Sequence, residues 1–220
     1  MTNPPTEPVL VRIADLHPTQ ITVGFREVAQ MRLRWRTRIR KAGERGAAWL
    51  IAPIVLGPGG ALYLIDRHHL ACAMKDEGVQ EVQIRQLADF SALDPQELWA
   101  VLVGRGWCRP FDADGRRQPF GAIPHILGGL YDDPLRSLAS ALRRAGGFTK
   151  KAAPFSEFAW ADFLRHRISR DLILTDFDGA LTQALILAKT PAACDLPGWR
   201  PHPATKGGGS PPVLSPYVYG

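Results

Sequence analysis

Residues 62–74 read Leu-Tyr-Leu-Ile-Asp-Arg-His-His-Leu-Ala-Cys-Ala-Met, and their types and spacing point to phosphate chemistry. An apolar, strand-forming run ends at Asp66, two histidines follow, and strong helix formers come next. That order predicts a strand, an abrupt turn and a helix start, with Asp66 as the N-cap. The unpaired N–H groups of a helix N-terminus, with the positive end of its dipole, make an anion site. His68 and His69 fall in that first turn, where both rings can donate to phosphate oxygens and one can carry a proton. Asp66 can orient a histidine or help hold Mg²⁺ through water. The competing reading is structural: one histidine buried and one exposed, each satisfied by backbone carbonyls. Cys72 lies in the helix body, where a small hydrophobe is expected and a reactive thiolate is not.

Asp66-Arg67-His68-His69 resembles the Asp-Gly-His-His box of ParB-like free-serine kinases, within the ParB/sulfiredoxin superfamily. Residues 13–27 (IADLHPTQITVGFRE) resemble the opening segment of ParB-like N-terminal domains, and Pro53-Ile54-Val55-Leu56 resembles the strand before the box. Residues 9–190 as a whole are similar to the ParB-like nuclease branch, whose pieces look like PTQ-x-TVG-x-REV, IDRHH and DDP-x-RSLA-x-x-LRRAGGF. Two positions depart from the box: Arg67 stands where the family has Gly, and Leu70 where an arginine often follows. The resemblance implies a nucleoside di- or triphosphate (ATP, ADP or CTP) bound with Mg²⁺ at the 66–69 turn. Arg67 would then restore the lost cation from one position earlier. By the same resemblance Glu27 is the base toward an acceptor hydroxyl, with Arg26 beside it steadying the transferring phosphoryl group. The expected catalytic set is Glu27, Asp66, His68 and His69, and the expected phosphate-binding set is Arg26, Arg67, His68 and His69. Metal ligands are not specified. From the residues alone, Glu27 reads first as a carboxylate capping the following helix.

These residues need a scaffold, and 220 residues suffice for one large domain or two small ones with a proper core. A hydrophobic fraction of 45% with 22% charged residues is that of an ordinary globular protein. No apolar run approaches the ~20 residues that span a bilayer. The Pro- and Thr-rich residues 1–8 do not form a secretory signal. Cys72, Cys108 and Cys194 show neither zinc spacing nor a disulfide framework, and the cytoplasm is the expected location.

Residues 9–16 read as a strand, and residues 28–43 as a helix with Val28, Met31, Trp35 and Ile39 at helical spacing, stopped by Gly43-Glu44-Arg45-Gly46. Strands follow at 54–56 and 61–65 about a Gly57-Pro58-Gly59-Gly60 turn, then a helix over 70–77 and a strand over 79–87. The fold class expected is α+β, with a ParB/sulfiredoxin-like domain over residues 9–88 and a mostly helical region over 89–190. Within the latter, Asp94 and Asp133-Pro134 open helices, and helices are expected at 155–167 and 178–189. Residues 104–124 form a long Gly/Pro/Arg-rich passage that Trp107 and Phe111 pin to the core. Asp112-Ala113-Asp114-Gly115 lacks the later ligands of a calcium loop and reads as a tight turn. Residues 191–220 read as a Pro/Gly-rich tail or arm.

The net charge of +6 fits nucleotides, nucleic acid or acidic small molecules alike. Between Arg26 and Arg45 the basic residues Arg32, Arg34, Arg36, Arg38, Arg40 and Lys41 form either a solvated helix face or a phosphate-tracking surface. Arg136, Arg143 and Arg144, beside Lys150 and Lys151, read first as the charged face of a surface helix and second as DNA-backbone contacts. Two functions remain. One is a nucleotide-dependent phosphotransferase or hydrolase acting on a small hydroxyl-bearing molecule; the other is a ParB-like DNA-binding, partition or nuclease-type protein.

Overall fold

The structure, a computed structural model, describes residues 9–42, 51–149 and 155–200. The expected helix stop at 43–46, Lys150, Lys151 and the segments 1–8 and 201–220 lie outside the described residues. In chain order the strands are β1 (Val9–Arg12), β2 (Leu16–Pro18), β3 (Thr22–Val23), β4 (Ile51–Leu56), β5 (Leu62–Leu64), β6 (Glu81–Asp89) and β7 (Tyr131–Asp132). The helices are α1 (Phe25–Ala42), α2 (His68–Asp76), α3 (Pro95–Gly104), α4 (Pro134–Arg144), α5 (Ser156–Arg165), α6 (Arg170–Thr175) and α7 (Phe177–Leu187).

Five strands make one mixed sheet in the order β1-β6-β4-β5-β2. Side chains alternate across a strand, so each strand feeds both faces of this sheet. Ile54 and Leu64, paired across β4 and β5, are fully buried with Trp35 of α1 and Met74 of α2. Their neighbours Val55 and Ile65 enter a second core on the opposite face, with Leu98 and Leu102 of α3. Each such buried side chain contributes about 1.5–3 kcal/mol. The expected α+β architecture is therefore present, with helices on both faces of the sheet.

A third core joins α4, α5 and α7 around Leu138, Leu142, Trp160 and Leu164. The two aspartates expected to open helices do so. Asp94 accepts from the amides of Gln96 and Glu97 while Glu97 returns a bond to the Asp94 amide, and Asp133 accepts from Leu135 and Arg136. Each cap contributes on the order of 1 kcal/mol.

Several boundaries differ from the sequence reading. Residues 9–16 are two strands separated by a 3₁₀ turn at Ile13–Asp15. Helix α1 begins at Phe25 rather than Val28, which places Glu27 in its first turn. The short α6, capped by the Ser169 hydroxyl, has no amphipathic run long enough to announce it. Residues 191–199 are no free arm: Ala193 is buried, Leu196 and Trp199 pack on the third core, and Trp160 Nε1 donates to the Pro197 carbonyl at 2.9 Å.

The 104–124 passage is pinned by Trp107, which packs on the second core, and by Arg109 rather than by Phe111. The Arg109 guanidinium lies 4.5 Å from the Phe111 ring and 4.6 Å from the Phe158 ring, and donates to Asp162 at 2.6 Å. Asp112 accepts from its own loop amides, Asp114 at 2.9 Å and Arg116 at 2.8 Å, with Gly115 at φ 76°, so the DADG segment is a turn.

Candidate functional site

Strand β5 delivers the chain to a sharp turn at Asp66 and Arg67, and α2 starts directly beyond it. The N-cap is Arg67, not Asp66, and no side chain caps this helix. Asp66 Oδ1 instead accepts from the Arg67 amide at 2.7 Å, a bond too local to reach the first turn of α2. Arg67 stands at φ 67°, ψ 24°, the left-handed region that costs a non-glycine residue ~1–2 kcal/mol. Glycine at this position would relieve that cost; this chain carries an exposed arginine there.

Both histidines of the box are buried, at 3% and 7% exposure. His68 Nε2 accepts from the Thr19 amide at 3.1 Å, and His69 Nε2 accepts from the Gly24 amide at 2.9 Å. An imidazole nitrogen that accepts carries no proton, so both rings are neutral and neither Nε2 can donate to a phosphate oxygen. Burial lowers the His68 pKa to about 4, against the opposing effects of Asp66 and the Leu64 backbone. His69 is driven well below the ordinary value by burial, then by the charges of Arg136 and His68. The expectation of donor side chains gives way to a different geometry, in which the rings face the 19–24 loop.

Glu27 is 5% exposed and belongs to a buried polar cluster between α1 and α4. Its Oε2 accepts from Arg136 Nη1 at 2.8 Å and from Ser140 Oγ at 2.5 Å, and Arg136 also bonds Ser140. Its backbone amide donates to Ser137 Oγ at 3.3 Å. His69 Nε2 lies 3.5 Å from Glu27 Oε2, a contact with a neutral ring and not an ion pair. Arg136 is therefore not on a charged surface face, as the sequence suggested; it is 8% exposed and neutralises a buried carboxylate. Arg144 is more exposed: it donates to Gln30 at 2.8 Å and lies 4.0 Å from Glu27 Oε1. Arg26 turns away: its guanidinium covers the Phe177 ring at 3.9 Å, on α7.

Glu27, Asp66, Arg67, His68 and His69 line one cleft of about 590 Å³. Arg26 is not among its lining residues. Sequence reasoning missed Gln20, Arg85 and Glu157 there, and misassigned Arg136 and Arg143. Four arginines, Arg67, Arg85, Arg136 and Arg143, face three carboxylates, Glu27, Asp66 and Glu157, so with neutral histidines the cleft is cationic. Trp107 and Phe158 add apolar wall. Arg143 is held by Glu157 at 3.0 Å. Cys72 is absent from the lining, and burial pushes its thiol up to about 12, as befits an inert core cysteine. No described helix is long and apolar enough to cross a membrane.

Sheet, junction and cleft define an α+β protein whose strand–turn–helix box opens into an arginine-lined cavity. The chain belongs to the family described as "Putative ParB-like nuclease", whose model matches residues 9–166. The crystal structure of protein Atu1540 from Agrobacterium tumefaciens is similar to it, with a TM-score of 0.83 and 48% identity over 90% of this chain and 100% of that one. The C-terminally truncated chromosome-partitioning protein ParB from Caulobacter crescentus, complexed with CTP-gamma-S, matches at a TM-score of 0.28 and 14% identity, over 85% of this chain and 94% of that one. No match was found among curated proteins.

Proposed function

We propose that this protein binds the phosphates of a nucleoside di- or triphosphate over the N-terminus of α2 and transfers or hydrolyses the terminal phosphoryl group. The carrying observation is the uncapped start of α2, which opens beside Arg67 into a cationic cleft of about 590 Å³. That volume suits a nucleotide-sized ligand. The first-turn amides of His68, His69 and Leu70 are aimed along the helix axis and need acceptors, which phosphate oxygens supply. Arg67 and Arg85 line the same cleft, as does Arg143, which is paired with Glu157. Mg²⁺ would travel with the phosphates, and such an ion needs only one or two protein carboxylates. Asp66 is the carboxylate at the turn.

In the transfer step a hydroxyl oxygen of the acceptor forms the new bond to the terminal phosphorus, and the bond to the leaving phosphate breaks. The hydroxyl proton goes to Glu27. Its Oε2 is engaged by Arg136 and Ser140, so the proton goes to Oε1, which lies 4.0 Å from Arg144 Nη1. With water as acceptor the same site hydrolyses the nucleotide.

The test is thermal shift of the full chain against ATP, ADP and CTP with Mg²⁺. Occupancy at a hundredfold Kd stabilises by about 2.7 kcal/mol, or ~5–10 °C for a chain of this size. Arg67→Ala should shrink the shift, and Glu27→Gln should bind but not turn over. No shift with any nucleotide at millimolar concentration removes this reading.

A nucleic-acid reading draws on one observation: Arg34, Arg36, Arg38, Arg40 and Lys41 are exposed along α1, whereas Arg32 and Arg36 are also held by Glu77 at 2.6 Å. Binding of a duplex through that face would weaken steeply with salt, and changing Arg34, Arg36 and Arg38 to Ala would flatten the slope by about one unit per lost contact. Two-metal phosphodiester cleavage asks for gathered carboxylates. Among the described residues no group of three or more His, Cys, Asp or Glu side chains is placed to hold a metal. The cleft therefore favours the nucleotide reading.

A further inference from the structure

We infer that His68 and His69 are positioning residues, a neutral accepting pair that clasps the 19–24 loop and thereby sets where Gln20 and Glu27 stand in the cleft. The two rings reach the loop at its two ends. Thr19 donates its amide to His68 Nε2 at 3.1 Å, and Gly24 donates to His69 Nε2 at 2.9 Å. Successive residues of a helix point ~100° apart, which is how adjacent side chains serve two separated points. Thr19 Oγ1 adds a bond to the Leu64 carbonyl at 2.7 Å, and Gln20 folds onto the Thr22 carbonyl at 2.5 Å.

Thr19, Gln20 and Thr22 are all buried, so an amide that lost its histidine acceptor would find no water in exchange. Such an orphaned group costs about 1–3 kcal/mol, more than the bond itself contributes. Gly24 immediately precedes α1, and its carbonyl accepts from the Val28 amide at 3.0 Å. The His69 bond therefore fixes the start of α1, and Glu27 lies in that first turn. From there Glu27 meets Arg136 and Ser140, and the cleft acquires its carboxylate.

The clasp works only with unprotonated Nε2 atoms, because an imidazolium has no lone pair to offer. The groups facing the pair are Asp66 from the turn and the Leu64 backbone for His68. For His69 they are Glu27 from α1, Arg136 from α4 and His68 itself. This role is independent of the nucleotide reading and survives its failure.

The experiment is nitrogen NMR of the two rings in the full-length wild-type chain at neutral pH, joined to amide hydrogen exchange. Both rings are expected as the Nδ1–H tautomer with unprotonated Nε2. In His68→Leu the protection of the Thr19 amide should fall at least tenfold, and in His69→Leu that of the Gly24 amide. The centre of α1 around Trp35 should keep its protection in both. An Nε2–H tautomer or an imidazolium in the wild type overturns the inference, and needs no variant to fold. Unchanged protection of both amides in folded Leu variants overturns it equally. Ring nitrogens that become protonated on adding millimolar Mg²⁺-ATP would return them to a phosphate-donating role.

Discussion

Arg67 is the residue where this chain accepts a conformational cost. Its φ of 67° is relieved by glycine, so Arg67→Gly should raise stability by up to about 1 kcal/mol in urea denaturation. Under the proposed function the same variant loses phosphate affinity, and a gain in stability with undiminished affinity would show that the guanidinium does nothing for a ligand. The histidines set a second expectation. A ring held at about 4 in the folded chain, against 6.5 when unfolded, binds its proton more readily in the unfolded state. Stability should therefore be full above about 6.5 and fall as the pH drops toward 4, by on the order of 2–3 kcal/mol from His68 alone, with His69 acting in the same direction. A denaturation midpoint flat between those limits would contradict the burial of both rings. At this scale the box itself was legible in the sequence, because strand, turn and helix are consecutive. Its wiring was not. Glu27 finds Arg136 109 residues away, and no local pattern distinguishes that arginine from the exposed Arg144. Arg26 was misplaced for a related reason: neighbours on a helix diverge, so only one of Arg26 and Glu27 can face the cleft.

Helix α4 approaches the start of α1 without room for a side chain between them. A Cβ at Gly24 would run into Ser137 Oγ and come within 2.8 Å of the Ser137 backbone nitrogen, which cannot swing aside. Gly24→Ala should therefore destabilise by about 1–3 kcal/mol, as overpacking does, and disturb the Glu27 amide bond to Ser137. A full-strength Tm in that variant would mean that α4 can slide. The helix caps at Asp94 and Asp133 were readable because an aspartate followed by proline and a periodic apolar run is a local signal. The early start of α1 was not, since Gly24-Phe25-Arg26 carries no capping side chain and the helix is nucleated by tertiary bonds to His69 and Asp132. Leu196 and Trp199 were hidden among prolines and glycines, and only the third core reveals what they cover.

For the whole molecule, the family match ends at residue 166, yet Ile168, Ile173, Ala180, Ala184, Ala188 and Ala193 are buried in the third core. A chain stopped after His166 would bare the apolar faces of α4 and α5 around Trp160 and Leu142. It should lose cooperative unfolding and bind a hydrophobic dye, whereas a sharp transition at the original Tm would show those later helices to be dispensable. Helix α4 matters beyond its own core, because it carries Arg136, Ser137 and Ser140 to Glu27. That separation has a consequence in time. A ribosome adding about 5–20 residues per second releases the Glu27 carboxylate some 5–20 s before the guanidinium 109 residues downstream that will neutralise it. The sheet can gather early, but the cleft is finished only when α4 arrives, so its lining stays incomplete in a nascent chain until translation is well advanced.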